Sequence, residues 1–203
     1  MNNEIYYKEL ENRLEKIMQS IEACKCVVSN IMEQTLSRDN LFYVAAFNRC
    51  IQLLDGIAIL LQQRNLSCVG AILRLQMDNC MRTYAAFIAK DKHAVISCVI
   101  YGGKISDQID SEGNKMTDAY LKKRINEFDD SFSKVYDYSS GYIHFSDSAF
   151  YQTVVDCNDR EIELHIGKEL HEKFNPTLLQ VADAFIGFVK LHCSMMQSVI
   201  KSK

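Results

Sequence analysis

The stretch "LENRLEKIMQSIEACKCVVSNI", residues 10–31, places an apolar residue at every third or fourth position. The intervals alternate between four and three residues, which is the spacing of the seam of a coiled coil. The seam consists of Leu10, Leu14, Ile17, Ile21, Cys24, Val28 and Ile31. Because a helix with one apolar face must bury that face, the stretch predicts the first helix of an all-α bundle.

A similar rhythm predicts further helices. Turn residues stand at "SRDN", 37–40, and at "RNLS", 64–67, so we expect a second helix between them and a third from about 67 to 90. A shorter helix ends at "YGGK", 101–104, and a polar loop follows at 105–116. The single proline and eight glycines of the chain favour long helices over many short strands.

The second half of the chain predicts two more helical regions. One begins at Thr117 or Asp118, and its apolar rhythm continues from Phe128 to Ile143. The other begins with Pro176 in its first turn and runs to about residue 200. Its polar residues form only a narrow stripe, so we expect this helix in the middle of the bundle or at a subunit interface.

The segment "TVVDCNDREIELHI", residues 153–166, alternates between polar and apolar side chains in its second half. A period of two next to a turn at Asn158 and Asp159 predicts a β-hairpin. We therefore predict one domain, 1–203, with an up-and-down bundle of five to six helices. The small β-hairpin near 151–167 is an insertion in that bundle.

Composition and charge exclude some functions. The apolar fraction of 48% and the charged fraction of 24% are ordinary for a globular protein, and 203 residues can bury a core without metals or disulfides. The net charge is −3, with +2 in residues 1–104 and −5 in the remainder. Neither half has the basic surface of a non-specific nucleic-acid binder, so an RNA contact would need a local patch.

The beginning of the chain and the cysteines predict a cytoplasmic protein. The start lacks the basic-then-apolar pattern of a signal peptide. The most apolar stretch, 178–200, is interrupted by Asp183, Lys190 and His192, so we expect no membrane span. The eight cysteines are scattered without a Cys-x-x-Cys pair, and we expect reduced, buried thiols.

Motifs for metals and cofactors are missing. The sequence contains no glycine-rich nucleotide loop, no His-Glu-x-x-His and no histidine with a glutamate three residues before it. His165 and His171, with Glu169 and Glu172 close by, form only a weak metal pattern. We therefore predict no metal site and no cofactor.

Two features suggest a polar site. On the third helix, Arg74, Asp78 and Arg82 are four residues apart and share one face. They form either a solvated ion-pair ladder or, if they face a cleft, a site for a phosphate or carboxylate. His144 is either a structural histidine bonded to neighbouring hydroxyls or a general acid/base.

Three segments together resemble a known group of proteins. They are "LRLQMDNCMRTYAAF" (73–87), "KMTDAYL" (115–121) and "VYDYSSGYIHFSDS" (135–148). They look like uncharacterised bacterial helical proteins that combine an Arg-x-x-x-Asp helix with a Tyr-x-x-Ser-Gly-Tyr-Ile-His-x-Ser segment. Their layout is similar to the HEPN superfamily, small helical bundles that often dimerise and in many members are metal-independent ribonucleases.

The chain departs from the pattern of active HEPN ribonucleases. Those proteins resemble one another in an arginine separated by four to six residues from the catalytic histidine. Before His144 these positions hold Asp137, Tyr138 and Ser139. The segment "REIELH", 160–165, has the spacing, but a match this short is expected by chance. If nuclease chemistry survives, Arg74 or Arg82 must supply the cation.

The sequence thus leads to two functional hypotheses. The first is a HEPN-like protein that is not an enzyme and acts by protein–protein or self association around a polar Arg/Asp/His pocket. The alternative is a metal-independent endoribonuclease or RNA-binding effector of a bacterial toxin or anti-phage system. The candidate catalytic residues are His144, Arg74 and Asp78, and the candidate substrate-binding residues are Arg82, Tyr142, Ser139 and Ser146.

Partners are predicted from the same features. The seam of the first helix and the apolar last helix hold more apolar surface than one bundle plausibly hides, so we expect a homodimer through one of them. The toxin hypothesis adds an antitoxin or another protein partner, with RNA as its substrate.

Overall fold

The computed structural model describes residues 1–34, 37–144, 146–157, 161–167 and 170–201. Helices make up 74% of it, which confirms the predicted all-α class. Within these residues the helices are α1 (Asn3–Met32), α2 (Arg38–Gln62), α3 (Leu66–Ile88), α4 (Lys92–Ile100), α5 (Asp118–Ile125), α6 (Phe132–Ser140), α7 (Asp147–Thr153) and α8 (Asn175–Lys201). The five to six helices expected from the sequence therefore become four long helices and four short ones.

The four long helices build the core. Helix α1 packs against α2 and α8, and α3 packs against α2 and α8. Most of the predicted α1 seam is buried, and Leu14 and Val28 are half-buried. The seam of α1 therefore packs against α2 and α8 of the same chain.

Side-chain caps separate the long helices where the sequence predicts turns. The Ser37 side chain accepts a hydrogen bond from the Asn40 amide at 3.1 Å at the start of α2. Between α2 and α3, Arg64 adopts a left-handed conformation with φ 52°, and the Asn65 side chain then caps α3. Thr117 caps α5 in the same way.

The chain between α5 and α6 does not continue the helical rhythm. The Asp129 carboxylate accepts hydrogen bonds from the Ser131 amide and hydroxyl, and the Asn126 side chain accepts one from the Ser133 amide. These local bonds compete with helical hydrogen bonds, so the chain turns and Phe128 is exposed.

The β-hairpin is confirmed. Strand β1 (Val154–Cys157) pairs antiparallel with β2 (Ile162–Leu164), and Cys157 lies opposite Ile162. The predicted turn at 158–159 lies outside the described residues. The side chains of Ile162, Leu164 and Ile166 are exposed, so the hairpin stands away from the core as an insertion.

Helix α8 runs through the core, as its apolar composition predicts. Its predicted polar stripe is the part that stays exposed, at Gln180, Asp183, Lys190, Ser194 and Gln197. Two helical stretches in the described chain, Arg38–Gln62 and Glu172–Gln197, are long and apolar enough to cross a membrane by composition alone. Core helices of globular proteins share that property, so the cytoplasmic location stays a prediction.

All eight cysteines are free thiols. Cys24, Cys50 and Cys80 are buried in the core, as expected. Cys26, Cys68 and Cys157 are exposed, so for these three the prediction of burial is wrong.

Candidate binding groove

Arg74 and Asp78 form the ion pair that their spacing on α3 predicts. The Arg74 guanidinium also lies 3.6 Å from the centre of the Tyr136 ring on α6, and its Nη2 donates a hydrogen bond to the Tyr136 hydroxyl. Only 14% of the Arg74 side chain is exposed. Burial raises the pKa of Tyr136 although the Arg74 charge opposes the shift. The three groups form a buried link between α3 and α6.

Arg82, the third member of the ladder, has a different partner. Its Nη1 donates to the Asp118 carboxylate at 3.0 Å, in the first turn of α5. Both side chains are partly exposed, so the pair is of the surface type that contributes less than about 1 kcal/mol. The three residues therefore do not form one continuous row of ion pairs. Arg74 and Asp78 belong to the link between α3 and α6, and Arg82 belongs to a surface pair.

Asp78 and Arg82 also line a groove between α2, α3 and the end of α4, with a cavity volume of about 720 Å³. We call it the arginine groove. Its lining residues are Arg38, Leu41, Phe42, Ala45, Ala46, Arg49, Asp78, Asn79, Arg82, Thr83, Val99 and Ile100. Two alanines in succession on α2 leave the space that larger side chains would fill.

The groove carries an excess of positive charge. Arg38 and Arg49 are eleven residues apart on α2, which is three helical turns and about 16 Å along the axis, so they mark its two ends on one face. Arg82 adds a third guanidinium from α3, although its Nη1 already donates to Asp118, so the unpaired positive charge of the lining is that of Arg38 and Arg49. Among the lining residues Asp78 alone carries a negative charge, and Arg74 already neutralises it.

A buried polar network lies behind Asn79 and Thr83 of the groove. His192 on α8 is fully buried, its ring stacks on Phe47 with ring centres 4.4 Å apart, and its Nε2 lies 2.9 Å from the Thr83 hydroxyl. Its Nδ1 lies 3.4 Å from the Gln76 amide nitrogen. Because that amide nitrogen can only donate, Nδ1 accepts and Nε2 donates to Thr83. Burial lowers the pKa of His192 to about 3, so the ring is neutral.

His144 lies in the turn that follows α6, and its ring is exposed. Just before it, the Tyr142 ring packs directly on Gly70 of α3, where a methyl group would overlap with the ring. Gly70 precedes Arg74 by one helical turn and Asp78 by about 12 Å of helix axis. In the described part of the chain, contacts join Arg74 to Asp78, and none joins either residue to His144.

The candidate hydroxyls near His144 bind locally. The Ser139 hydroxyl donates to the Tyr136 carbonyl at 3.0 Å, and the Ser146 hydroxyl donates to the Gly141 carbonyl at 2.8 Å. The Tyr138 and Tyr142 hydroxyls bond to each other at 2.9 Å, and burial raises the pKa of Tyr142. These bonds fix the shape of the segment, and a role in substrate binding stays a prediction.

Among the described residues, one group of side chains could hold a metal. Glu163, His165 and His171 place one ligand atom each within 4.8 Å of one another. Of the residues considered from the sequence, Glu169 lies outside the described part of the chain. Glu163 lies beside His165 because side chains two residues apart in an extended chain point to the same side.

Several groove residues were not anticipated from the sequence. The apolar rhythm of α2 predicts only the side of the helix that faces the core. Arg38, Ala45 and Arg49 share another face of the same helix, and that spacing could have indicated a groove. Asn79, Thr83 and His192 gave no signal, because their network joins α3 to α8 over more than 100 residues.

Comparison with protein-family models, curated proteins and solved structures gave no match. The resemblance to the HEPN superfamily therefore stays a prediction.

Proposed function

We propose that this protein is a non-catalytic binding module whose arginine groove receives an acidic, amphipathic helix of a protein partner. The observation that carries the proposal is the arrangement of Arg38, Arg49 and Arg82 around an apolar trough. A helix in a groove is a common mode of peptide recognition, with apolar anchors in the trough and charges at its rim.

The apolar part of the groove supports this mode. Leu41 and Ile100 are each 50% exposed, and Val99 is 37% exposed. Exposed large apolar side chains that adjoin one cavity mark interaction surfaces more often than isolated ones do. Their burial by a partner would supply the free energy, at about 25 cal/mol for each Å² of apolar surface.

The charges define the partner. The 16 Å between Arg38 and Arg49 along α2 correspond to eleven helical residues, so a helix aligned with α2 would present acidic residues about eleven positions apart. Arg82 on the opposite wall binds Asp118 through Nη1, and its remaining N–H groups could donate to a further carboxylate near the middle of the bound helix. Arginine is suited to such contacts because its planar fork binds a carboxylate with two hydrogen bonds.

Self association through this groove is disfavoured by the same charges. A two-fold interface brings identical surfaces together, so the arginines of one copy would face those of the other. The homodimer predicted from the sequence relied on the α1 seam and on α8, which the structure buries within the chain. It remains a prediction, and its interface would need another surface.

The geometry around His144 also favours binding over catalysis. A general acid/base needs its partners within hydrogen-bonding reach, and the Arg74 guanidinium is committed to Asp78 and Tyr136. The second hypothesis, an RNA-binding or RNA-cleaving effector, is favoured by one observation. Arg82 also borders a second depression that contains Lys104 and Asp118, and Lys104 adds one basic side chain beyond the groove.

Fluorescence anisotropy with defined probes tests the proposal. The first probe is a helical 16-residue peptide with a leucine face and glutamates eleven positions apart, and the second replaces those glutamates with lysines. We expect the acidic peptide to bind and Arg49→Glu to weaken it about tenfold or more, since a favourable charge pair becomes repulsive. Arg49 is exposed and forms no ion pair with the described residues, so the variant should fold.

The matched control is Lys8→Glu, which makes the same change in charge. Lys8 is exposed on α1 at the end where Tyr6 bonds to Leu61, the end of α2 far from the groove. Equal binding of both peptides, or equal weakening by both variants, would contradict the proposal. Tight binding of a single-stranded RNA probe, together with cleavage that His144→Ala abolishes, would establish the alternative.

A further inference from the structure

We propose that Glu163, His165 and His171 form a binding site for a divalent transition metal of the zinc type. The site lies between the β-hairpin and the segment that leads into α8. The site is separate from the arginine groove. The groove is lined by the first half of α2, whereas the metal site lies near Arg64, just after the end of α2.

The distances suit a small coordination sphere. His165 Nε2 lies 3.0 Å from Glu163 Oε1, and the edge of a tetrahedron with bonds of about 2.05 Å is about 3.3 Å. The His165 and His171 ring centres are 5.1 Å apart and the rings are nearly perpendicular. Ligand atoms within 4.8 Å of one another therefore need shifts of only about 1–2 Å to reach a common ion.

The ligand set selects the class of metal. Two imidazoles and one carboxylate are typical of zinc sites that keep a fourth position for water. Calcium and magnesium prefer oxygen ligands, and copper(I) prefers sulfur. The three side chains are partly or fully exposed, so water can fill the open position.

Two hydrogen bonds hold the ligand side chains in the metal-free site. His165 Nε2 and Glu163 Oε1 form the first at 3.0 Å, and a metal ion bound to both atoms would replace it. His171 Nδ1 accepts a hydrogen bond from the Lys173 amide at 3.1 Å, so its Nε2 carries the proton. Coordination through either nitrogen of His171 gives up that bond.

The metal would fasten the hairpin to the bundle. His171 follows Leu170, whose carbonyl accepts a hydrogen bond from Arg64 Nη2 at 2.8 Å. The same arginine binds the Asn175 side chain at the start of α8 through two hydrogen bonds. One end of the metal site is thus attached to the body of the protein, and the other end is strand β2 with its exposed apolar side chains.

Metal titration of the full chain tests the site. We expect one Zn²⁺ to bind per chain and Co²⁺ to give the absorption of a four-coordinate complex. His165→Ala and Glu163→Gln should each weaken Zn²⁺ binding at least about tenfold, whereas His144→Ala, at another exposed histidine, should leave it unchanged. Zn²⁺ should also slow amide hydrogen exchange in β1 (Val154–Cys157) and β2 (Ile162–Leu164) in the natural chain and not in His165→Ala.

Other results would overturn the proposal. Binding that His165→Ala and Glu163→Gln leave intact would place the metal elsewhere, and the absence of a Co²⁺ spectrum would show that no site exists. Because the three ligands are on or beside an exposed hairpin, their variants should keep the circular dichroism of the natural chain, and that measurement separates loss of a ligand from loss of the fold.

Discussion

At the scale of single residues, His192 couples the core to pH. Its ring is neutral and buried, with a pKa near 3 in the folded state against about 6.5 when unfolded. The unfolded chain therefore binds a proton first, and the free energy of unfolding should fall as the pH drops below about 6.5 toward 3. The slope from this one group approaches about 1.4 kcal/mol per pH unit.

We expect His192→Gln to remove that slope, because glutamine does not titrate. Urea unfolding of the natural chain and the variant at pH 7, 6 and 5 measures the difference. The matched control is His144→Gln, which replaces an exposed histidine. Natural and His192→Gln proteins with parallel stability profiles would contradict the assignment of a buried neutral ring.

A second residue-scale prediction concerns Arg74. Its loss leaves the Asp78 carboxylate half-buried without its cation, so we expect Arg74→Ala to destabilise the fold by about 1–3 kcal/mol. Tyr136→Phe removes only the hydroxyl that Arg74 binds. The double mutant should lose less than the sum of the two, by about 0.5 kcal/mol or more.

A second double mutant, Arg74→Ala with His144→Ala, is the comparison for the Arg74–Tyr136 pair. The effects of Arg74→Ala and His144→Ala on the free energy of unfolding should add, because no described contact joins the two side chains. A coupling between them above about 0.5 kcal/mol would support the shared pocket that we predicted from the sequence.

At the scale of elements, the packing of the His144 segment on α3 depends on a glycine. A methyl group at Gly70 would overlap with the Tyr142 ring, so Gly70→Ala should displace the segment that follows α6. Hydrogen exchange should then become faster in residues 138–144. The double variant Gly70→Ala, Tyr142→Ala should relieve the overlap and recover part of the stability.

Gly187 in α8 is the matched control. Nothing lies within 4 Å of a methyl group at this helical position, so Gly187→Ala should stabilise the protein by about 0.5–1 kcal/mol through helix propensity alone. The same substitution is expected to have opposite signs at the two sites. Stabilisation at both glycines would show that Tyr142 does not pack on α3 in this way.

The elements themselves follow from local pattern far better than the site does. The apolar residues of α1 recur every three or four positions, and polar and apolar residues alternate along 161–166. These two periods are visible in the sequence, so the first helix and the hairpin could be predicted. The break at Asn126 to Ser133 could not, because it depends on side-chain hydrogen bonds that a periodic pattern does not contain. The second partner of Arg74, Tyr136, was not predicted because it is 62 residues away in sequence.

At the scale of the whole molecule, a chain of net charge −3 carries a groove with basic side chains at its rim. The groove forms where α2, α3 and α4 pack together. It therefore could not be predicted from the sequence of any one of these helices. The ladder residues Asp78 and Arg82 were found from sequence as a candidate site. Their role as one wall of the groove became clear only from the packing of α2 against them.

The most direct measurement of this claim is a map of amide chemical shifts during titration with the acidic helical peptide. We expect the perturbed amides to cluster at 38–49 on α2, at 78–83 on α3 and at 99–100 on α4, and the lysine-substituted peptide to leave them unchanged. Perturbations centred on 138–147, or none at saturating peptide, would contradict the account.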